Sequence, residues 1–163
     1  LFEATFDGTD REAAAALLAK GPKVLQILVN RMNVLGAKLQ AHIVADKLQG
    51  QVLKHRSGKL SASIRLIPAS VQSTTLFAEV LGGGGPAWYG AIHEYGGDRA
   101  YTIVPTNRKA LRFVIGGRVI FAKRVLHPPL PMRSFMRSSL DDQRESIAIG
   151  LQQAMNEGAQ GNV

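Results

Sequence analysis

The hydrophobic pattern of this chain changes period at Ser57-Gly58, and that change governs most of what it can fold into. Upstream, Leu25, Leu28, Met32, Leu35, Leu39 and Ile43 recur at spacings of three and four, one apolar stripe along a helix. Downstream, Leu60, Ala62, Ile64 and Leu66 alternate with Ser61, Ser63, Arg65 and Ile67, the period of a strand, which Pro68 should end. A helix from 23 to about 53 would span on the order of 45 Å, more than a domain of 163 residues needs. Either Gly36 or Gly50 breaks it, or part of it lies against a neighbour. Val24, Ile27, Val29 and Val34 widen its apolar surface and favour the neighbour. Lys23, Arg31, Lys38, Asp46 and Lys47 are placed mostly away from the stripe.

The remaining segments follow from local signals. Residues 1–9 read as a loose leader, and 11–20 as a short alanine-rich helix capped by Thr9 or Asp10 and stopped by Gly21-Pro22. Residues 71–81 form the antiparallel return of the first strand. Gly82–Gly85 and Pro86 mark a mobile loop tip, and the Gly-Lys-Ser/Thr ending of a phosphate-binding loop is missing. Trp88–Tyr95 is a short helical turn closed by Gly96-Gly97. Strand pieces are expected at Tyr101–Val104, Leu111–Ile115 and Arg118–Ala122, with Gly116-Gly117 as a two-residue hairpin turn. Three prolines exclude a regular element over Leu126–Pro131. From Met132 a helix runs to about Asn156, and 158–163 should fray. The sum is a single α+β domain over 1–163, an antiparallel β-sheet packed against a long N-terminal helix and a C-terminal helix.

Composition narrows the chemistry. There is no cysteine, which removes disulfides and thiolate chemistry and fits a reducing compartment. No apolar run approaches the length of a membrane span. The start at Leu1 suggests a trimmed N-terminus and carries no signal-peptide pattern. His42, His55, His93 and His127 show no metal-ligand spacing, so neither metal nor cofactor is expected. Glu79, Glu94 and Asp98 are the acids between 47 and 140, too few for an acid–base pair, and no enzyme is expected. Glu94, set among aromatic and glycine residues, is placed to accept backbone N–H bonds or to pair with an arginine such as Arg133. Ser57 is a cap or turn residue. A nuclease-like set of His93, Tyr101, Arg112 and His127 rests on positive charge alone.

That charge is uneven. The net charge is +8, and from Arg99 to Arg137 there are nine Lys or Arg and no acid. A basic middle favours a negative partner, either an acidic protein surface or nucleic acid. Arg99, Arg108, Lys109, Arg112, Arg118, Lys123 and Arg124 could follow a phosphate backbone without reading sequence, although aromatic residues for base stacking are few.

Three segments carry a resemblance. His55-Arg56-Ser57-Gly58-Lys59-Leu60-Ser61-Ala62-Ser63-Ile64 resembles the Arg-Thr/Ser-Gly-x-Leu-x-x-Ser-Ile signature of the tail-completion and head–tail joining proteins of tailed bacteriophages, which include many virion morphogenesis proteins. Tyr89–Gly97, with Glu94, Gly96 and Gly97, is similar to their Tyr-x-Ala-x-x-(His)-Glu-x-Gly segment. Pro131-Met132-Arg133-Ser134-Phe135-Met136 is similar to their Pro-x-Arg-Pro-Phe-Leu segment, with Ser134 in place of the commoner proline. Order and intervals agree over residues 23–157. Gly82–Gly85 and the leader have no counterpart. The resemblance implies a non-enzymatic virion protein at the neck or upper tail, assembled in the host cytoplasm as a ring of copies. Its implied partners are connector, tail-terminator or tail-tube proteins, with non-specific DNA contact and no membrane. Contact residues are then expected at Leu25 and Leu28 of the long helix, at Trp88, and at Arg108, Lys109, Arg112, Arg118, Lys123 and Arg124.

Overall fold

A computed structural model describes residues 21–53, 57–72, 75–97 and 99–160. The expected leader and its short helix, together with Lys54, His55, Arg56, Asp98 and the last three residues, lie outside this set.

Helix α1, Pro22–His42, begins on a proline, whose missing N–H costs nothing in a first turn. It continues into a wider π-helical segment, Ile43–Gln51, and ends where the backbone leaves helical geometry at Gln49 and at Gly50 (φ 135°). Gly50 is thus the break. Gly36 stays helical, and a Cβ there would meet Leu66 Cδ1 at 2.6 Å, so its role is to let β1 approach.

The expected strand over 60–66 is corrected. Gly58 (φ 69°) opens a short helix, α2, Lys59–Ser63, and β1 runs Arg65–Gln72. Ser63 Oγ donates to the Leu60 carbonyl at 2.7 Å, and this local bond favours a turn over an extended start. Pro68 does not end β1 but sits at its bulge, where pairing with β2, Thr75–Leu81, shifts register. There Asn33 Oδ1 accepts the Ala69 N–H at 2.7 Å, replacing the ladder bond that the proline region lacks.

A 3-10 turn, Gly85–Ala87, leads to α3, Gly90–Tyr95. Then come β3, Tyr101–Ile103; β4, Leu111–Ile115; β5, Arg118–Ala122; and β6, Val125–His127. The β4–β5 hairpin turns at Gly116-Gly117 as the sequence indicates. Strand β6 is a further correction: Val125–His127 pairs with β3, and the prolines act only from Pro128 onward. Among the described residues the strands form three separate antiparallel ribbons, β1–β2, β3–β6 and β4–β5, rather than one sheet.

Helix α4, Met136–Gln160, starts later and ends later than its sequence pattern suggests. It packs along α1 through Gly150, Ala154 and Gly158, spaced by four on one face. A Cβ at Gly150 would meet Leu35 Cδ2 at 3.0 Å, and one at Gly158 would meet Val24 Cγ1 at 2.8 Å. Residues 158–160, where fraying was expected, are helical and packed closely at Gly158. The fold is α+β, antiparallel ribbons with a long N-terminal and a C-terminal helix. One core cluster joins Ile43, Leu48, Leu53, Leu60, Ile64, Ala87, Phe135 and Met136; a second joins Val24, Leu28 and Ala154.

Candidate functional site

The three motif segments, far apart in sequence, meet in one knot. Leu60 from α2 and Phe135, just ahead of α4, are buried in the larger core, with Tyr89 packed against it. Gly90 lies between them: a Cβ there would stand 2.8 Å from Leu60 Cδ1 and 3.8 Å from Phe135 Cζ. Ser63 Oγ also accepts the Gly83 N–H at 3.0 Å. The glycine run is therefore tied at Gly83, and the carbonyls of Gly84 and Gly85 accept the N–H groups of Ala87 (2.9 Å) and Trp88 (3.3 Å), so it is bonded over Gly83–Gly85.

The centre of the knot is Glu94, 2% exposed. Its Oε2 accepts the N–H groups of Phe135 (2.7 Å) and Met136 (2.8 Å). Its Oε1 accepts Ser134 Oγ at 2.6 Å, the Arg137 N–H at 3.1 Å and Arg137 Nε at 3.3 Å. A helix leaves its first N–H groups without partners and carries partial positive charge there, so a carboxylate at that end satisfies both demands. Here a different helix supplies it. Burial pushes the Glu94 carboxyl up, but the bonds from Ser134, Met136, Arg137 and Phe135 outweigh that and hold it below the usual range.

The partner arginine is Arg137, which corrects Arg133. Arg137 Nη2 also reaches the Glu94 carbonyl at 3.1 Å, and its guanidinium lies 5.3 Å from the Tyr95 ring centre. Arg133 is exposed, and its N–H donates to the His93 carbonyl at 2.7 Å. Burial, and then the Arg133 charge, hold the His93 imidazole below its ordinary pKa. Gly97 and Leu130 exchange backbone hydrogen bonds that seat the Pro131 segment beside Gly96. Pro131 and Ser57 are exposed.

A signal for Arg137 existed. Met136–Gln160 has no acid in its first turn, and an arginine there is unfavourable for the dipole unless an anion is near.

A second polar cluster ties α1 to α4. Lys47 Nζ meets Asp142 Oδ2 at 2.6 Å, and His42 stands between Asp142 (3.0 Å) and Asp46. The hydrogen bond from Lys47, then that from His42, lowers the Asp142 pKa. Lys47 is buried, which corrects its placement on the solvent side. The groove beside this cluster, about 400 Å³ and bordered by Arg31, Lys38, Glu145 and Ile149, is open and shallow.

Of the nuclease-like set, Tyr101 and His127 are cross-strand partners, stacked with ring centres 4.9 Å apart. Arg112 belongs to a different ribbon, and His93 packs edge-on against Tyr89. Among the described residues no group of three His, Asp or Glu could hold a metal, and no helix is long and apolar enough to cross a membrane.

The expected contact residues divide. Leu28 is buried against Val24 and Ala154, so it serves the core and not an interface; Leu25 is half-buried. Trp88, Arg108, Lys109, Arg112, Arg118, Lys123 and Arg124 are all exposed. Compared with models of protein families, with characterised proteins and with solved structures, the chain matches none of them.

Proposed function

We propose that this chain is a structural assembly protein of a tailed-phage virion, completing the tail or joining it to the head at the neck, with no catalytic step of its own. The observation that carries the reading is that the three signature-like segments meet in one knot, where Leu60 packs at Gly90 beside Phe135 and the Glu94 carboxylate of the second segment binds the third. Glu94 has all its acceptor capacity engaged by Ser134, Phe135, Met136 and Arg137. Such a residue holds a scaffold in place and has nothing left for a substrate. Around that rigid knot the chain presents exposed, chemically simple surfaces: Trp88 beside the glycine run and the basic β4–β5 ribbon. Surfaces of this kind suit contact with neighbours in a large particle.

The test is complementation. Particles made without this protein should accumulate as filled heads and separate tails, and purified protein should join them in proportion to the amount added. Joining by a few molecules per many particles would sink the structural reading; normal joining without the protein would sink the placement at the neck.

A second reading, a module that binds nucleic acid without sequence preference, draws on the exposed Arg112 and Arg118 of the β4–β5 ribbon.

A further inference from the structure

We infer that the β4–β5 hairpin is a docking arm that takes an acidic β-strand from a different protein; the inference rests on the assembly reading and names the chemistry of one partner. Cross-strand pairing puts Arg112 beside Phe121 and Val114 beside Val119 on one face of the ribbon. Val114, Val119 and Phe121 are 57, 47 and 66% exposed. On the other face Ile115 is also exposed. Neither core cluster contains a hairpin residue. A two-stranded ribbon in water is marginal by itself, and one that is apolar on both faces has an obvious use for a partner.

Four features say what that partner is. The aliphatic face needs apolar side chains opposite it, which a phosphate backbone does not offer. The segment from Arg99 to Arg137 carries nine basic residues and no acid, so the partner is acidic. A second copy of this chain, at net charge +8, would be repelled at long range. Finally, among the described residues β4 and β5 pair only with each other, so each keeps an edge of open backbone N–H and C=O groups. An added strand satisfies such an edge with apolar side chains against the exposed valines and isoleucine, and its carboxylates meet Arg112 on one face of the ribbon or Arg118, paired with Ile115, on the other.

The experiment places the photoreactive residue p-benzoylphenylalanine at Phe121 in the full chain, in the cells where it is made, and identifies the cross-linked peptide by mass spectrometry. The same probe at Val34, exposed on α1 and outside the hairpin, is the comparison, since a neighbour it meets there should not present the acidic strand. Expected is a peptide from another protein, rich in Asp and Glu around the linked residue, captured from Phe121 and not from Val34. The double variant Arg112→Glu/Arg118→Glu should lower that yield by about tenfold while its thermal melt stays in place, because both residues are exposed. A cross-link to a second copy, to nucleic acid or to a basic peptide would overturn the inference. Capture no stronger than from Val34 would do the same. Purified particles separate this from the wider reading: a subunit present in them whose hairpin cross-links DNA leaves the assembly reading standing and removes the arm. Particles lacking the subunit, with an acidic strand still captured, do the reverse.

Discussion

Glu94 and Arg137 hold each other at three points. The Arg137 N–H and Nε both donate to Glu94 Oε1, at 3.1 and 3.3 Å, and Nη2 donates to the Glu94 carbonyl at 3.1 Å. The short helix α3 and the long helix α4 are thereby joined by one residue from each. Phe135, beside the pair and almost fully buried, adds roughly 2–3 kcal/mol of apolar burial to the same joint.

Glu94→Ala should therefore be among the most damaging single changes. It strands the Phe135 and Met136 N–H groups in a buried place and leaves Arg137 without its carboxylate. The expected loss is about 3–5 kcal/mol. Glu94→Gln keeps an acceptor and should lose about 1–3 kcal/mol. Urea melts of both variants check the order, and equal stabilities would contradict the cap.

The pH dependence follows in sign. The Glu94 carboxyl titrates below its ordinary value when folded, so the unfolded chain takes up the proton first as pH falls. Its contribution is complete above about pH 4.3 and is lost as pH drops toward the lowered folded pKa. His93, also lowered, acts in the same direction from about pH 6.5 downward. The stability gap between the native chain and Glu94→Gln should shrink in acid. A gap that is constant from neutral pH to below pH 3 would mean that the carboxylate charge is not what the helix end uses.

Gly96 and Gly116 separate two roles of glycine. Both have positive φ, 77° and 56°, but a Cβ at Gly96 would stand 2.9 Å from the Leu130 carbonyl oxygen, whereas Gly116 faces open space. Gly116→Ala should cost only the left-handed strain, about 1 kcal/mol. Gly96→Ala adds a backbone clash and should cost about 3 kcal/mol or more. Thermal melts of the two variants decide it; similar shifts would show that the Pro131 segment yields.

Much of this architecture was legible in the chain. Apolar spacing located α1 and α4, and Gly116-Gly117 located the β4–β5 hairpin, because such signals are local. The start of β1 was not legible: Leu60, Ala62 and Ile64 alternate like a strand, yet the Ser63–Leu60 bond and left-handed Gly58 wind the segment into α2. Pro68 misled for a related reason, since its tolerance in β1 depends on the bond from Ala69 to Asn33, which is thirty-six residues from Ala69. At the knot, Glu94 could be picked out by its odd surroundings. Its arginine could not be chosen by proximity in sequence, because Arg133 and Arg137 are four residues apart; the helix start at Met136, which puts Arg137 and not Arg133 in the first turn, separates them.

Lys47 and Asp142 should respond unequally. Lys47 is buried while Asp142 is half-open to water. Asp142→Ala leaves a buried ammonium without its partner and should be the more damaging of the two changes. Lys47→Met keeps the aliphatic stem, lets Asp142 hydrate, and should fall within about 1 kcal/mol of the native chain. Chemical denaturation of the two variants checks this, and a Lys47→Met loss as large as that of Asp142→Ala would mean that the ion pair itself stabilises the junction.

Affinity for DNA should be weak, indifferent to sequence and steep in salt. Arg108, Lys109, Arg112, Arg118, Lys123 and Arg124 are exposed, but the ribbon between them presents valine and phenylalanine rather than hydrogen-bonding groups aimed at base edges. Phosphate contacts by all six would give a log–log salt slope of about −5, and Arg112→Ala with Arg118→Ala should make it shallower by about 2. Fluorescence anisotropy on two duplexes of unrelated sequence, from low to moderate salt, measures both quantities. Equal affinities that collapse together as salt rises are expected, since released counterions are the main driving force for such a surface. Binding to one duplex that survives at about 0.3 M salt would require base contacts, and the basic ribbon would then be a reader of DNA rather than an arm for protein.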